Sequence, residues 1–339
     1  MILTVNTKPS YPLYLGNGLF KNINDYLSGN YHQIAILLDS KFYDSVNSLY
    51  KQFLLIPLDL SHDKKDLRSY EKVIKQLELH NFSRDDLLIN IGGGTICDIG
   101  GFVAATYKRG IDFINVPTTT LAQIDAATGG KNGLDSMNIR NLLGCFYQPT
   151  KVIIDFDFLK TLPQRHYYNG LYEALKIALL FDNQLFQQLE NFRQENIYEI
   201  CKTSLLHKIS IVEQDEHDNG IRKTLNFGHT IAHALEGSLK DKDLLYHGEA
   251  VLYGMCMMIE DANIRHRVRE IALSWNIPSL PGIDFTNLAM ILQNDKKVRE
   301  EMFSCVILND LQDFEIKELN LNQLILRAKD YEQSIRTTT

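Results

Sequence analysis

The chain has 339 residues, more than a single hydrophobic core usually serves, so its length predicts two domains. Its hydrophobic content of 45% and charged content of 23% are ordinary for a globular protein and exclude a largely disordered chain. The formal net charge of −7 argues against a nucleic-acid-binding protein, because contact with the phosphate backbone requires a basic surface.

The first half of the chain alternates short apolar runs with amphipathic segments. A helix is predicted over Leu67–Leu79, where apolar side chains share one face. A second helix begins after a run of glycines and includes Gly101–Tyr107. Strands are predicted at Gln33–Leu38, Leu87–Ile91, Phe113–Val116 and Val152–Asp155. Short apolar strands separated by helices are typical of a parallel sheet covered on both faces.

After Leu162 and Pro163 the pattern becomes almost entirely helical. The predicted helices are Tyr168–Leu180, Asn183–Phe192, Ile197–Glu213, Thr230–Leu239, His247–Ala262 and Val268–Ser274. We therefore expect an α/β domain over residues 1–158 and a helical domain over residues 159–339. We place the boundary near Leu159 and expect the halves to pack closely around a cleft.

The cysteines and the N-terminal segment indicate the cellular setting. Five scattered cysteines form no Cys-x-x-Cys pair, so neither a disulfide framework nor a thiolate zinc site is predicted. The N-terminal segment lacks the basic flank and apolar core of a signal peptide. No apolar run approaches the roughly 20 residues of a membrane span. These features predict a cytoplasmic protein with no membrane partner.

Three consecutive glycines, Gly92, Gly93 and Gly94, follow a predicted strand and precede a helix. Glycine lets the backbone approach a phosphate, and a helix N-terminus offers it free N–H groups and a positive dipole. The spacing is not the usual G-x-G-x-x-G, and a plain tight turn is the simpler interpretation. The position after a strand of a parallel sheet favours nucleotide binding. Asp98 and the turn Pro117–Thr120 would then contact the same ligand.

Three histidines, His229, His233 and His247, lie in one helical, alanine-rich stretch. His229 and His233 are four apart and share a helix face. Glu173 and Lys176 are three apart on an otherwise apolar predicted helix, where charges are costly unless paired or liganded. Two neutral imidazoles and a carboxylate resemble the ligands of catalytic zinc. Spacing alone leaves His233 open as a third histidine ligand or a substrate contact.

The glycine-rich segment Ala127–Pro149 carries Lys131, Arg140 and Asn141. Lys131 follows two glycines, and a lysine on a flexible turn favours contact with an anion. Further cations stand on later predicted elements, and each of them alone is more often an exposed surface charge. These cations are Lys208, Arg222, Lys296 and Lys297. Their significance depends on whether they converge.

Six long blocks carry a resemblance to a known family. They are GGGTICDIGGFVAATYKRG, NVPTTTLAQIDAATGGK, NLLGCFYQP, LKTLP, LNFGHTIAHALE and HGEAVLYGM. In these blocks, and from about Asp39 to Lys297, the chain resembles the 3-dehydroquinate synthase family of sugar-phosphate cyclases. The resemblance implies an N-terminal Rossmann-like parallel-sheet domain that binds NAD. It also implies an all-helical C-terminal domain that binds metal and substrate.

The resemblance assigns roles to residues of this chain. It implies that zinc, or cobalt in its place, is bound by Glu173, His229 and His247. The implied phosphate contacts are Lys131, Asn141, His233 and one of Lys296 and Lys297. The implied contacts to the substrate carboxylate are Lys208 and Arg222. The implied contacts around the ring hydroxyls are Asp125, Lys176 and Asn226.

The same resemblance implies a nucleotide site and a partner. The implied NAD contacts are Asp39, Lys65, Gly92, Gly93, Gly94, Asp98, Thr118, Thr119, Asp125, Lys131 and Arg140. Arg109 matches an arginine that the family lends to the site of the partner subunit, which implies a homodimer.

The implied reaction converts 3-deoxy-D-arabino-heptulosonate 7-phosphate into 3-dehydroquinate and phosphate, a step of the shikimate pathway to aromatic amino acids. NAD would oxidise a ring hydroxyl transiently, phosphate would leave by elimination, and the hydride would return. An intramolecular aldol step would then close the carbocycle. NAD would thus act as a catalyst in a carbon–oxygen lyase, with zinc polarising the oxygen being oxidised.

Five places depart from the family pattern, and one of them is the segment after Lys297, where the family glycine and strand pattern are poorly kept. Asp135 stands where the family usually has asparagine, and Ile139 and Arg140 stand where it has glycine and lysine. His62 replaces a glutamate expected shortly before Lys65. A further departure is Asp218, where a glutamate is usual. These departures put the loop that carries Asn141 and the NAD ribose contact in question.

Three alternatives are weighed against the synthase. Sister cyclases that form inosose or valiolone products share the fold and cofactors, but their substrates lack the carboxylate that Lys208 and Arg222 favour. Metal-dependent polyol dehydrogenases share the architecture but would not need Lys131, Asn141 and His233. A non-catalytic scaffold is disfavoured by the intact candidates at the zinc, carboxylate and elimination positions.

Overall fold

A computed structural model of the chain describes residues 1–27, 29–136, 139–239, 244–293 and 302–336. It divides into two compact units, Met1–Tyr167 and Tyr168–Thr339. The division follows Tyr167, whereas the change of sequence pattern suggested a boundary near Leu159. Within the described ranges, no helix is both long and apolar enough to cross a membrane.

The first unit is built on a sheet that has seven strands in the described part of the chain. Its strands are β1 (Ile2–Val5), β2 (Tyr11–Gly16), β3 (Ile34–Asp39), β4 (Leu54–Leu58), β5 (Leu87–Gly92), β6 (Asp112–Pro117) and β9 (Lys151–Asp155). A separate antiparallel hairpin consists of β7 (Lys131–Ser136) and β8 (Ile139–Phe146). The strand order is β1-β2-β9-β6-β5-β3-β4, antiparallel between β1 and β2 and parallel elsewhere.

Helices cover both faces of this sheet. They are α1 (Tyr43–Tyr50), α2 (Leu67–Leu79) and α3 (Gly94–Thr106). Leu37 and Leu88 pack with α2 and α3, whereas the neighbouring Ile36 and Ile89 pack with α1. Successive residues of a strand point to opposite faces, so these strands are buried on both sides. The predicted parallel sheet, covered on both faces, is therefore confirmed.

Helix α2 illustrates why the sequence folds as it does. The carboxylate of Asp66 caps its N-terminus by accepting from the N–H groups of Arg68 and Ser69 at 3.0 and 3.1 Å. Val73 and Leu77 lie on the buried face of the helix. The bounds Leu67–Leu79 are the ones that the sequence predicts.

The second unit is mainly helical. Its helices are α4 (Gln164–Phe181, which begins in the first unit), α5 (Asn183–Glu190), α6 (Ile197–Gln214), α7 (His229–Ser238), α8 (His247–Met258), α9 (Ala262–Ser274), α10 (Phe285–Gln293) and α11 (Leu321–Arg336). It also contains an antiparallel hairpin of β10 (Met302–Asp310) and β11 (Asp313–Asn320). The predicted fold class is confirmed, with the correction that the second domain is not all-helical.

One predicted helix is in fact two. The segment His247–Ala262 was expected to be continuous, but α8 ends at Met258 and α9 begins at Ala262. Ile259 adopts an extended conformation and pairs with Leu308 of β10. The carboxylate of Asp261 then accepts from the N–H of Ile264 at 2.8 Å and caps α9. A local cap and a strand contact therefore interrupt the helical periodicity.

Candidate active site

Three side chains of the second unit, called here the metal-ligand cluster, bring their donor atoms together. They are Glu173 on α4, His229 at the start of α7 and His247 at the start of α8. Oε1 of Glu173 lies 3.5 Å from Nε2 of His229 and 3.7 Å from Nε2 of His247. One donor atom from each lies within 4.8 Å of the others, which is the arrangement needed to hold a metal ion.

Two glycines allow α7 and α8 to approach closely enough for this cluster. Gly228 precedes His229 with φ of +78°, and a Cβ there would lie 2.6 Å from the backbone nitrogen of Met255. A Cβ on Gly254 of α8 would lie 2.1 Å from the carbonyl oxygen of Gly228. Larger residues would therefore separate the two helices that present His229 and His247.

His229 is held in the form that binds a metal. It is 9% exposed, and its Nδ1 lies 3.1 Å from the carbonyl oxygen of Phe227. A proton on Nδ1 donates to that carbonyl, which leaves the lone pair on Nε2, the nitrogen nearer Glu173. Burial, followed by the positive charge of Lys176 and the two neighbouring histidines, lowers the pKa of His229 well below its usual value. The neutral imidazole is thus favoured.

Lys176 and Glu173 form a buried ion pair one helical turn apart on α4. Each residue is only 1% exposed. The Lys176 ammonium is close to Oε2 of Glu173, yet neither carboxylate oxygen makes a hydrogen bond of acceptable geometry to a described residue. A buried carboxylate whose oxygens lack good hydrogen bonds is costly. A cation bound at the cluster would satisfy it.

His233 and Glu236 extend the cluster along α7. The His233 ring lies 5.6 Å from that of His229 and 5.8 Å from that of His247, measured between ring centroids. Oε2 of Glu236 lies 3.4 Å from Nδ1 of His247. Glu236 is a site residue that was not predicted from the sequence. The signal was present, because residues 229, 233 and 236 share one face of a helix.

Two buried cations lie on α6 and the short helical turn that follows it. Lys208 on α6 is 6% exposed, and Arg222 in the turn Ile221–Asn226 is 2% exposed. The turn packs against α6 and ends at Asn226, three residues before His229. The guanidinium of Arg222 donates to the carbonyl of Glu216.

Asp215 fixes the backbone around Arg222. Its carboxylate accepts from the N–H groups of Asn219, Gly220 and Arg222 at 2.9, 2.7 and 3.0 Å. Partial burial alone would raise the pKa of Asp215, but these three donors and the Arg222 charge outweigh burial and lower it. Asp218, where the family usually has glutamate, lies within this loop with φ of +60°.

The first unit brings a second group of predicted residues to one edge of its sheet. Asp39 ends β3, Gly92–Gly94 joins β5 to α3, and Thr118 and Thr119 follow β6. Strands β3 and β5 are adjacent in the sheet. The chain continues from β3 to β4 on one side of this pair and from β5 to β6 on the opposite side. The carboxyl ends of β3 and β5 therefore flank a topological switch point, the usual place for a ligand in an open α/β sheet.

The glycine turn is compact and leaves polar atoms available. A Cβ on Gly92 would lie 2.6 Å from Cβ of Ile96, so a larger residue would disturb the start of α3. The N–H of Thr118 donates to the carbonyl of Gly92 at 2.9 Å. The Thr118 hydroxyl is buried and has no hydrogen-bond partner among the residues described. These features suit a phosphate held by backbone N–H groups and a hydroxyl.

Lys65 lies among three polar side chains, and we call Lys65, Asp98, Asp135 and Asn141 the Lys65 cluster. The ammonium of Lys65 lies 2.7 Å from Asp98 and 3.8 Å from Asp135, and it also donates to the side chain of Asn141. Asp135 accepts from the N–H of Asn141, which has φ of +50°, at 2.8 Å. Burial raises the pKa of Asp98, although Lys65 acts in the opposite direction.

Several other predicted site residues are exposed or half-buried. Lys131 and Arg140 are exposed on the β7–β8 hairpin that also carries Asn141, and Asp125 is half-buried in the turn Ala122–Ala126. Arg109 is exposed in a turn with φ of +67°. His62 is exposed, shortly before Lys65. Lys296 and Lys297 lie outside the described residues.

Most of the chain matches two family models. One is described as 3-dehydroquinate synthase N-terminal and matches residues 56–169. The other is described as 3-dehydroquinate synthase C-terminal and matches residues 170–298. Together they run without a gap from residue 56 to residue 298 and include every residue of both clusters.

Relatives of known function carry the same name. A 3-dehydroquinate synthase of Campylobacter concisus (strain 13826) is 45% identical over 205 residues, which cover 60% of this chain and 59% of that protein. A 3-dehydroquinate synthase of Clostridium tetani (strain Massachusetts / E88) is 32% identical over an alignment that covers 96% of this chain and 92% of that protein. The matched region thus spans about three fifths of the first relative and nearly all of the second.

A solved structure shares the fold. It is 2-epi-5-epi-valiolone synthase from Streptomyces hygroscopicus subsp. jinggangensis 5008, with NAD+ and Zn2+ bound. The TM-score is 0.84, the sequence identity is 22%, and the alignment covers 97% of this chain and 98% of that one. At this identity the similarity establishes the fold.

Proposed function

The chain belongs to the 3-dehydroquinate synthase family, as its sequence predicts, and we propose that it catalyses the family reaction. The substrate is 3-deoxy-D-arabino-heptulosonate 7-phosphate, and the products are 3-dehydroquinate and phosphate. The observation that carries this proposal is the buried metal-ligand cluster beside Lys176. It combines three ligand atoms with a buried cation, a combination suited to chemistry at a hydroxyl group.

The donor set of the second unit fits a divalent ion. The oxygens of Glu173 lack acceptable hydrogen bonds within the described ranges, and the neutral form of His229 is favoured. One carboxylate and two imidazoles leave a further position for substrate, as in catalytic zinc sites. Zinc is the ion that we propose, with cobalt as the alternative, and the valiolone synthase was solved with Zn2+ bound.

The carboxyl edge of the sheet in the first unit fits a dinucleotide. Support comes from the glycine turn at the switch point and the buried hydroxyl of Thr118. We assign NAD to this edge, and the valiolone synthase was solved with NAD+ bound. The proposed contacts are Asp39, Lys65, Gly92, Gly93, Gly94, Asp98, Thr118, Thr119, Asp125, Lys131 and Arg140. In this proposal residues 1–158 bind the nucleotide and residues 159–339 bind metal and substrate.

When bound, NAD would supply a hydride acceptor and donor, and the divalent ion would polarise the hydroxyl that is oxidised. The residues of this chain bind and orient the substrate. Arg222 and Lys208 hold its carboxylate, because two buried cations select an anion of fixed position. Lys176 and Asn226 orient its ring hydroxyls.

The phosphate contacts stay predictions. They are Lys131, Asn141 and His233, together with one of Lys296 and Lys297, which lie outside the described residues. His233 fits this role because its ring lies beside that of His229 but its donor atoms do not belong to the metal-ligand cluster.

We also propose a homodimer in which Arg109 reaches the site of the partner subunit. The support is its exposure in a left-handed turn. Mixing Arg109→Ala chains with His229→Ala chains tests this arrangement. A shared site restores about a quarter of the wild-type activity in a random mixture of symmetric dimers, whereas sites formed within one chain restore none. A cytoplasmic location stays a prediction from the sequence.

The proposed reaction is tested by comparing sugar phosphates. Metal-loaded protein receives NAD and either 3-deoxy-D-arabino-heptulosonate 7-phosphate or sedoheptulose 7-phosphate, which lacks the carboxylate, and released phosphate is measured. We expect release from the acid and identification of the product as 3-dehydroquinate. Release from sedoheptulose 7-phosphate alone would instead identify a valiolone-type cyclase. Absence of release from either substrate would contradict both assignments.

A further inference from the structure

His247 is contacted by a carboxylate on each side of its ring. Its Nε2 lies 3.7 Å from Glu173, and its Nδ1 lies 3.4 Å from Glu236. Glu236 belongs to α7 and is 6% exposed, so its contact with His247 joins α7 to the first residue of α8. Burying a carboxylate costs free energy unless it is paired, and His247 Nδ1–H is a partner for it.

A neutral imidazole carries one proton and one lone pair, on different nitrogens. Only the Nδ1 contact, at 3.4 Å from Glu236, is a hydrogen bond, whereas Nε2 lies 3.7 Å from Glu173. This difference favours the tautomer with the proton on Nδ1, which places the lone pair on Nε2. That nitrogen is the one nearer Glu173 and the metal-ligand cluster. Histidines that bind metals commonly donate their other N–H to a carboxylate or carbonyl in this way. The carbonyl of Phe227 has the same relation to His229.

We propose that Glu236 is a positioning residue of the metal site. It fixes the tautomer and ring orientation of His247 without binding the metal, and this inference rests on the proposed function of the cluster. Its role is therefore equivalent to that of the Phe227 carbonyl on the other histidine.

A competing arrangement has Glu236 as a ligand. Donor atoms of His233, Glu236 and His247 also lie within 4.8 Å of one another. His247 belongs to both groups, and only one nitrogen of a neutral imidazole carries a lone pair, so neutral His247 cannot bind a metal ion in both groups at once. The Glu173 group is favoured because the Glu173 oxygens lack good hydrogen bonds to described residues, whereas Glu236 contacts Nδ1 of His247.

The test measures metal affinity rather than activity. Zinc affinity is determined by chelator competition for the wild type, Glu236→Gln and Glu249→Gln. The amide of Glu236→Gln can donate or accept, so it no longer selects the tautomer, and we expect about 10–100-fold weaker zinc binding. Glu249 is the matched control, because it is 2% exposed, lies two residues from His247 and accepts from the backbone N–H of Tyr246 at 2.7 Å. Its variant is expected to keep wild-type zinc affinity.

A second measurement does not depend on a variant folding. Nitrogen-15 NMR of the metal-free wild type reports the tautomer of His247, and we expect protonated Nδ1 and unprotonated Nε2. The opposite tautomer would overturn the proposal, as would equal zinc affinity in wild type and Glu236→Gln.

The visible spectrum of the cobalt-substituted protein separates positioning from ligation. Unchanged coordination in Glu236→Gln supports positioning, whereas loss of one ligand overturns it in favour of direct binding. Failure of the wild type to bind zinc or cobalt overturns the proposed metal site itself, and the positioning role with it. If the wild type binds zinc and Glu236→Gln binds it equally well, only the positioning role of Glu236 is overturned, and the proposed metal site stands.

Discussion

The metal-ligand cluster and the Lys65 cluster hold their charges in different ways. The side chains of Lys176 and Glu173 are 2% and 1% exposed, whereas those of Lys65 and Asp135 are 15% and 37% exposed. In the Lys65 cluster, the ammonium of Lys65 pairs with Asp98 at 2.7 Å, and the N–H of Asn141 donates to Asp135 at 2.8 Å. In the metal-ligand cluster, donor atoms of three residues lie within 4.8 Å of one another, and the Glu173 carboxylate also pairs with the buried Lys176.

This difference predicts different behaviour on ligand binding. The metal-ligand cluster has its donors in place before an ion arrives, so binding requires little rearrangement. Lys65 is already engaged with Asp98 and Asn141, and Asn141 also donates its N–H to Asp135. Either residue can contact a nucleotide or phosphate only by exchanging these partners. Changes to the buried cluster should therefore have the larger effects.

The largest effect is expected from His229→Ala. This change removes one of three buried ligands, so zinc affinity should fall by more than the about 10–100-fold that loss of an outer partner costs. Activity should be lost with the metal. Metal content after dialysis and phosphate release measure the two effects. His266→Ala, which changes an exposed histidine of α9, is the control. A His229→Ala protein with full metal content would contradict the assignment.

The second-largest effect is expected from removing the buried cation of Arg222, which should lower kcat/KM. Truncating a buried, hydrogen-bonded charge pair costs about 2–5 kcal/mol, so Arg222→Ala should lower kcat/KM on the order of 10²-fold. Arg222→Lys keeps the charge and should recover part of the loss. Zinc content should remain normal in both variants. An unchanged KM for the acid substrate in Arg222→Ala would remove the evidence for carboxylate recognition at this position.

A smaller effect is expected at Asp215, which supports the Arg222 loop. Asp215→Asn loses the acceptor used by the N–H groups of Gly220 and Arg222, at a cost of about 1 kcal/mol for a partly exposed group. Folding lowers the pKa of Asp215. Its contribution to the free energy of unfolding is therefore fully present above the pKa of the unfolded state and is lost as the pH falls through the pKa of the folded state. The free energy of unfolding, measured with urea, should therefore differ between wild type and Asp215→Asn near pH 6, and the difference should be smaller below about pH 4. A difference that does not change with pH would contradict this role for the carboxylate.

The smallest effect is expected from Asp135→Asn in the Lys65 cluster. The asparagine oxygen can still accept from the N–H of Asn141, and only the half-exposed charge contact with Lys65 is lost. Such contacts contribute about 0.2–1 kcal/mol, so the dissociation constant for NAD should change less than about fivefold. Asp135→Ala removes the acceptor as well and should have the larger effect. A change above tenfold in Asp135→Asn would show that the exposed cluster is as sensitive as the buried one.

The sequence predicts the elements whose local signals agree. The bounds of α2 follow from its apolar periodicity and the Asp66 cap. The β7–β8 hairpin was not predicted, because its glycines and mixed polar residues give no regular alternation, although the two strands are neighbours in the sequence. The β10–β11 hairpin was missed for a related reason, since residues 313–320 are largely charged and their pairing with β10 is not visible locally.

The site residues also show which features can be predicted from the sequence and which cannot. Glu173, Lys176, His229 and His247 attract attention because ionisable groups stand in apolar helical segments. Glu236 shares a helix face with His229 and His233, but its contact with His247 becomes visible only where α7 meets α8. The sequence also does not reveal that Lys65 contacts both Asp98 and Asn141, since the three residues are far apart along the chain.

The most direct test of the central claim is the ratio of phosphate to NADH. Metal-loaded protein is given excess 3-deoxy-D-arabino-heptulosonate 7-phosphate and NAD at the concentration of the protein, while phosphate and absorbance of NADH are recorded together. We predict many phosphates released per NAD with no accumulation of NADH, and complete loss of release after chelation. NADH that accumulates in step with substrate consumption, or phosphate release that survives removal of the metal, would contradict the account.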